Sequence, residues 1–465
     1  MNPSSVLNML GRMFALFTLP GLLCAFWAFG NDRYPQASLF ILVTTASAVI
    51  GAVLLVSTPS RSIHKAGLKE IVGFLTLSWA GLSVIGALPF LTVSNGDPIS
   101  ALFESVSCLT TTGTSLISPE EPLPASLIAW RGILHLTGAM LAISGTLLLV
   151  TSMRGLGQGL RKLQAIGIGT RLNFASFMNI LLVVAAVLLV LTIIPMVVLI
   201  LEGMALRDAF ALAVGASTTG QVYPFHHEVL GGHAFGAVLV CMALFLASMS
   251  TATLLMYIRS PFRTNFDAET VGLLAIMLGL TGLIFVFSAD ADLQTAFLWA
   301  FSISSTSGLL LEPESAAALG WPLIIFFGFV GGAAVSATGG IKLFRMRLLM
   351  ARAGVEFSRL AQPNSVLRFS LSGTRNPVES MLTVWVYLIG FAVVMISLAG
   401  YLAMTGMSFE ASVSTAVGAI TNSASLFHAE NMNMVPGILT KLILTISMIL
   451  GRLELLLLLA FIIRN

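Results

Sequence analysis

The sequence predicts an all-α polytopic membrane protein: about ten transmembrane helices, with four helix–pore-loop–helix repeats in a pseudo-fourfold arrangement around one pore. Three observations carry that expectation. Of the 465 residues, 57% are hydrophobic and only 9% charged, where a soluble domain carries about 25% charged residues; mean hydropathy is +0.97. Apolar runs of about 20 residues, enough to cross a bilayer, recur along the whole chain. Four short Ser/Thr-rich segments each lie between two such runs.

The candidate spans are 6–29, 36–57, 71–93, 127–151, 178–203, 232–258, 270–289, 318–340, 380–405 and 436–463. The first is long for a signal-peptide core and no small-residue cleavage site follows it, so it reads as a retained helix. Shorter apolar segments, 99–110, 206–217, 294–305 and 409–420, precede the Ser/Thr clusters. A dozen helical residues reach only about 18 Å. Such a helix enters the membrane, stops and returns, provided protein or water surrounds its turn. The chain therefore divides into two leading helices (1–60) and pore repeats over 61–160, 161–263, 264–360 and 361–465.

Charge placement gives the topology. Arg61, Lys65 and Lys69 fall in one connection, Arg154, Arg161, Lys162 and Arg171 in a second, and Arg259 and Arg263 in a third. Lys342, Arg345, Arg347, Arg352, Arg359, Arg368 and Arg375 fall in a fourth. With the N-terminus inside and ten crossings, all four lie in the cytoplasm, as does Arg464, in accord with the positive-inside rule. Both termini are then cytoplasmic. Glu120, Glu121, Glu228, Asp290, Asp292, Glu312, Glu314, Glu410 and Glu430 flank the re-entrant segments on the other side. They read as a cation-concentrating vestibule or as solvated loop ends.

The Ser/Thr clusters carry the chemistry. They are Thr110-Thr111-Thr112-Gly113, Ser217-Thr218-Thr219-Gly220, Ser305-Thr306-Ser307-Gly308 and Thr421-Asn422-Ser423-Ala424. Backbone carbonyls gathered from four loops can replace the water shell of a cation. None of the four contains a carboxylate, which a Ca²⁺ cage would need, so a large, weakly hydrated monovalent ion such as K⁺ fits. Glycine at the end of a cluster admits backbone conformations closed to residues with a Cβ. The competing reading of any one cluster is helix packing or capping.

Other signals are weaker. The cysteines Cys24, Cys108 and Cys241 suggest neither disulfides nor zinc. Phe225-His226-His227-Glu228 with His233 could suggest a metal site, but exposed loop histidines are commoner and no cysteine supports them. Gly155-Leu156-Gly157-Gln158-Gly159 lacks the strand–helix setting of a nucleotide fingerprint. No catalytic triad or intramembrane carboxylate pair emerges, so no enzyme and no cofactor is expected in this chain. The basic stretch 342–375 suits anionic lipid heads or a soluble partner; nothing points to nucleic acid.

Several motifs together support a family resemblance. Phe103-Glu104-Ser105-Val106-Ser107 runs into the first cluster; Leu77-Ser78-Trp79 and Gly86-Ala87-Leu88-Pro89-Phe90 precede it. Ser336-Ala337-Thr338-Gly339-Gly340-Ile341-Lys342 and Gly451-Arg452-Leu453-Glu454 follow. Over nearly its whole length the chain resembles the Trk/Ktr/HKT superfamily of K⁺ transporters, most closely the bacterial Trk-type membrane subunit. The resemblance implies K⁺ uptake across a bacterial inner membrane, with Na⁺ or Rb⁺ left open. It implies a filter of Thr110, Thr111, Thr112, Gly113, Thr218, Thr219, Gly220, Thr306, Ser307, Gly308, Thr421, Asn422, Ser423 and Ala424. It implies a gate at Gly331, Gly332, Gly339, Gly340 and Arg452, a homodimer, and a cytosolic nucleotide-binding regulatory subunit.

The residues leave alternatives beside these roles. The glycine-rich stretch Gly328–Gly340 is either an unwound intramembrane segment or a close helix contact through small residues. Arg452, within an apolar run, either points into the permeation path or snorkels. Lys342 reads as the cytoplasmic end of its helix. Ala424 stands where the resemblance implies glycine, and a left-handed backbone there costs about 1–2 kcal/mol. Gln221 stands where the family often has a further glycine, and Thr137-Gly138-Ala139-Met140 replaces a more glycine-rich run. Relaxed selectivity is therefore expected. The alternative is a non-conducting or regulatory membrane subunit with a degenerate filter.

Overall fold

The computed structural model describes residues 3–58, 68–117, 123–152, 174–223, 227–259, 267–288, 291–309, 319–362, 377–427 and 437–453. The helices follow from the apolar runs and stop where the sequence supplies breakers. Two lead: α1 (Pro3–Gly30) and α2 (Tyr34–Ser57), which starts on Pro35 at its first turn. Then come α3 (Leu68–Ala87), α4 (Pro98–Leu109) and α5 (Ala125–Ser152). They are followed by α6 (Phe174–Leu201), α7 (Leu206–Thr218), α8 (Ala234–Ser248) and α9 (Thr251–Arg259). Next are α10 (Ala268–Phe287), α11 (Leu293–Ser304), α12 (Trp321–Val330) and α13 (Leu343–Ala361). Last are α14 (Pro377–Met404), α15 (Phe409–Thr421) and α16 (Ile438–Arg452).

Seven of the described helices are long and apolar enough to cross a membrane. Two expected spans are not continuous helices. The run 232–258 is bent by 112° between α8 and α9, where Met249 takes an extended backbone conformation. The run 318–340 is helical only to Val330, and residues 331–342 form an irregular segment before α13. Glycine explains the second break: Gly331 and Gly340 have φ of 65° and 78°, values that an L side chain avoids. The basic stretch after Lys342 begins as the helix α13 rather than a loop. Of the basic residues behind the topology, Arg61, Lys65, Arg154, Arg161, Lys162, Arg171, Arg263, Arg368, Arg375 and Arg464 lie outside the described residues.

The short helices that precede the Ser/Thr clusters are buried over their C-terminal parts, and long helices such as α6 face outward. α4 is buried from Phe103 through Leu109, and α7 from Ala211 through Thr218. α6 instead exposes Leu189, Val190, Ile193, Ile194 and Val197, a face that suits hydrocarbon. Capping starts three of the short helices at fixed points. Asp97 accepts from the Ile99 N–H, Asp292 from Thr295 and Ser408 from Ala411, each satisfying an amide that a helix start leaves orphaned. The leading pair leans on α5. Trp130 meets the rings of Phe17 and Phe40 at centroid distances of 5.4 and 5.6 Å and donates to the Gly86 carbonyl.

Candidate functional site

Each short helix ends the same way. Thr111, Thr219, Thr306 and Asn422 take left-handed conformations, with φ of 56°, 52°, 61° and 53°. The N–H of the next residue then reaches back five positions: Thr112 to Ser107, Gly220 to Gly215, Ser307 to Ser302 and Ser423 to Gly418, at 2.9–3.1 Å. This is the Schellman closure of a helix C-terminus. A glycine usually supplies the left-handed residue there; here three threonines and an asparagine do so.

The shared closure sets the register between loops. Sequence spacing pairs Gly220 with Gly113 and Gly308. The hydrogen bonding pairs Gly220 with Thr112, Ser307 and Ser423, and Gln221 with Gly113, Gly308 and Ala424. Gly113 and Gly308 have positive φ (81° and 64°), whereas Gln221 and Ala424 do not. Ala424 instead opens a single 3₁₀ turn, Ala424–Leu426. The left-handed strain expected at Ala424 is therefore absent.

The loops touch in sequence. A Cβ built at Gly113 would lie 2.2 Å from the Gln221 carbonyl oxygen, and one at Gly308 would lie 2.4 Å from the Ser425 nitrogen. The Leu309 side chain packs over Gly215 of α7. Asn422 Nδ2 donates to the Thr112 hydroxyl at 3.0 Å and to the Met448 carbonyl at 2.9 Å. Loop one thus meets loop two, the residue after loop three packs on the helix that carries loop two, three meets four and four meets one.

A buried ion pair braces the first junction. Arg131 of α5 and Glu104 of α4 are both fully buried and paired. Arg131 also donates from Nε to the Val222 carbonyl at 2.7 Å and from Nη2 to the Gly113 carbonyl at 3.2 Å. Glu104 accepts from the Ser115 hydroxyl and the Leu116 N–H. One guanidinium therefore holds loops one and two together. The sequence reading missed Arg131, although an arginine in an apolar run is the signal that singled out Arg452.

Segment 331–342 lies against the other two loops. The Gly339 N–H donates to the Thr306 hydroxyl at 2.9 Å, and a Cβ at Gly339 would fall on the Thr421 carbonyl oxygen. The same segment fills the break between α8 and α9. Ala333 and Ala337 donate to the Ser248 and Ala247 carbonyls, and Thr251 donates to Val335. Glu269 of α10 accepts from the Ala334 N–H at 2.8 Å. Gly332 donates to the Thr338 hydroxyl. Lys342 does more than mark a helix end: it is buried, has φ of 78° and donates from Nζ to the Thr338 carbonyl. Arg452 is buried at the end of α16. Its neighbour Gly451 rests on the Ile420 carbonyl, as Gly138 of α5 rests on that of Leu109.

At the start of α4, Lys441 of α16 reaches Asp97 at 3.1 Å and Ser100 at 2.6 Å. The Ser100 hydrogen bond, with Lys441 behind it, lowers the Asp97 carboxyl to about 2. Phe225, His226, Gly155, Gly157 and Gly159 lie outside the described residues. His233 lies 3.9 Å from Glu202. Among the described residues no group of three or more His, Cys, Asp and Glu could hold a metal ion.

No family model matches the chain. It is 29% identical over 490 residues to "Trk system potassium uptake protein TrkH" of Vibrio parahaemolyticus, an alignment covering 97% of this chain and 96% of that protein. It is 26% identical to "Trk system potassium uptake protein TrkG" of Escherichia coli, over 95% of this chain and 93% of that one. "Uncharacterized cation transporter MJ1485" of Methanocaldococcus jannaschii is 23% identical over 70% of this chain and 68% of its own length. The crystal structure of the potassium transporter TrkH from Vibrio parahaemolyticus matches the fold with a TM-score of 0.81, covering 99% of this chain and 98% of that one at 23% identity.

Proposed function

We infer that this chain is a Trk-type membrane subunit of the Trk/Ktr/HKT superfamily, and that it carries K⁺ into a bacterial cell across the inner membrane. The shared closure of α4, α7, α11 and α15 carries the reading. Four helices that stop with the same left-handed residue and the same five-residue hydrogen bond present equivalent backbone to a common centre. The contacts between successive repeats support a pseudo-fourfold arrangement with one pore, built from repeats 61–160, 161–263, 264–360 and 361–465. Residues 110–113, 218–221, 306–308 and 421–424 line the filter, and their carbonyls replace hydration water. The inside-negative potential drives entry at about 2.3 kcal/mol per charge per 100 mV.

Segment 331–342, with Gly331, Gly332, Gly339, Gly340 and Lys342, closes the path below the filter. Arg452 adds an electrostatic barrier. Both termini are cytoplasmic. The protein works as a homodimer with a cytosolic nucleotide-binding regulatory subunit, and α13 offers that partner, or anionic lipid heads, a basic surface.

One observation favours a second reading. Gln221 and Ala424 depart from glycine at two of four equivalent positions, as in a degenerate filter of a regulatory subunit. The test is Rb⁺ and Na⁺ flux through purified protein in liposomes, with growth rescue of a K⁺-uptake-deficient strain on low K⁺. Rescue together with Rb⁺ flux is the expected outcome. A well-folded, well-expressed protein that gives neither would establish the second reading.

A further inference from the structure

The residue after the left-handed position carries a hydroxyl in three of the four loops, and each hydroxyl makes a buried hydrogen bond. Thr112 bonds Thr110 at 2.9 Å and accepts from Asn422. Ser307 bonds Ser305 at 3.2 Å and accepts from the Leu309 N–H. Ser423 bonds Ser425 at 2.9 Å. The second loop has Gly220 at this position and so has no side chain there.

The Thr111 carbonyl oxygen of loop one and an imidazole from α5 together occupy the place of a side chain there. A Cβ at Gly220 would come within 2.7 Å of His135 Nδ1. His135 lies on α5, one turn beyond Arg131, and is fully buried. Neither of its nitrogens has a hydrogen-bond partner among the described residues, whereas buried polar groups are nearly always bonded. Its counterpart on α16 is Met448: each precedes by three residues the glycine that rests on a short-helix carbonyl, Gly138 on Leu109 and Gly451 on Ile420. At that place the fold therefore accepts an apolar side chain.

We propose that His135 is a positioning residue for the second filter loop: its imidazole, set from α5 against Gly220 with both nitrogens open, offers that loop the polar group that a hydroxyl offers within each of the other three, and thereby sets the ion preference of this site. The proposal rests on the filter reading above. Met at 135 fits the fold, as Met448 does, but offers no strong donor. Gln offers both donor and acceptor.

The experiment compares Rb⁺ and Na⁺ flux for wild type, His135→Met, His135→Leu and His135→Gln in liposomes, with monodispersity in detergent as the folding control. His135→Met and His135→Leu should lower the Rb⁺-to-Na⁺ flux ratio about threefold to tenfold, the equivalent of the one ordinary hydrogen bond that an open imidazole nitrogen offers to filter water, with total cation flux retained. His135→Gln should keep the wild-type ratio. An unchanged ratio in a folded apolar variant overturns the proposal. So does a fall in His135→Gln as large as in His135→Met, because shape rather than polarity would then matter. A wild type that carries neither ion overturns the filter reading itself, and the proposal with it.

Discussion

The first and third loops close on glycine; the second and fourth close on residues with side chains. Gly113 and Gly308 have positive φ, and the space where a Cβ would stand is taken by the neighbouring loop: the Gln221 backbone in one case, Ala424 and Ser425 in the other. Gln221 and Ala424 keep negative φ. The loops therefore work as two pairs, one and two, three and four, in which a single glycine makes room for both members. Gly113 makes room for the Gln221 backbone, and Gly308 for both the backbone and the Cβ of Ala424.

Breaking this comparison is the largest effect expected. Gly113→Ala or Gly308→Ala adds about 1–2 kcal/mol of left-handed strain and also sets a Cβ within 2.4 Å of backbone atoms. Each should abolish Rb⁺ uptake in the K⁺-deficient strain at normal membrane expression. Uptake near wild type in either variant would remove the pairing argument.

The next effect concerns what braces each pair. Loops one and two share Arg131, while loops three and four lie against segment 331–342. Arg131→Met leaves Glu104 as a buried, unpaired charge, at a cost of about 3–5 kcal/mol. It should lower the thermal midpoint in detergent far more than Thr306→Val, which removes only the hydroxyl that accepts from Gly339. Equal shifts would mean that the two pairs are held alike.

A smaller effect is expected at Ala424. Because it is not left-handed, Ala424→Gly relieves no strain and adds only the backbone entropy cost of glycine, about 0.5–1 kcal/mol. The Rb⁺-to-Na⁺ flux ratio should change by less than about twofold. A large rise in selectivity would show that the fourth loop is strained after all.

The smallest effect lies where α16 meets the start of α4. Asp97 is held at about 2, below its usual 3.8, so its folded pKa is depressed. Its ionised form therefore contributes stability above pH 3.8, and that contribution is lost as the pH falls toward 2. The thermal midpoints of wild type and Asp97→Asn should differ slightly at neutral pH and converge in acid; the exposed carboxylate keeps the gap small. A gap independent of pH would show that the Asp97 effect does not come from ionisation of its carboxyl.

Much of this was legible in the chain. Hydropathy and run length separate long helices from short ones, and Asp97, Asp292 and Ser408 announce where three of the short helices begin. The Gly331–Gly340 break was readable because several glycines within ten residues defeat a helix in any setting. The bend at Met249–Ser250 was not. No breaker marks it, and the carbonyls it frees are satisfied by Ala333 and Ala337, almost ninety residues away in the chain.

Local chemistry decided which segments are helical, which are too short to cross the membrane and which residues could face an ion, because periodicity, caps and glycine act within one or two turns. Tertiary structure alone decided the loop register, the burial of Lys342, the Arg131–Glu104 brace and the seat of His135 against Gly220. Each of these depends on which hydrogen-bond partner a distant segment brings into reach, and spacing along the chain carries no record of that distance.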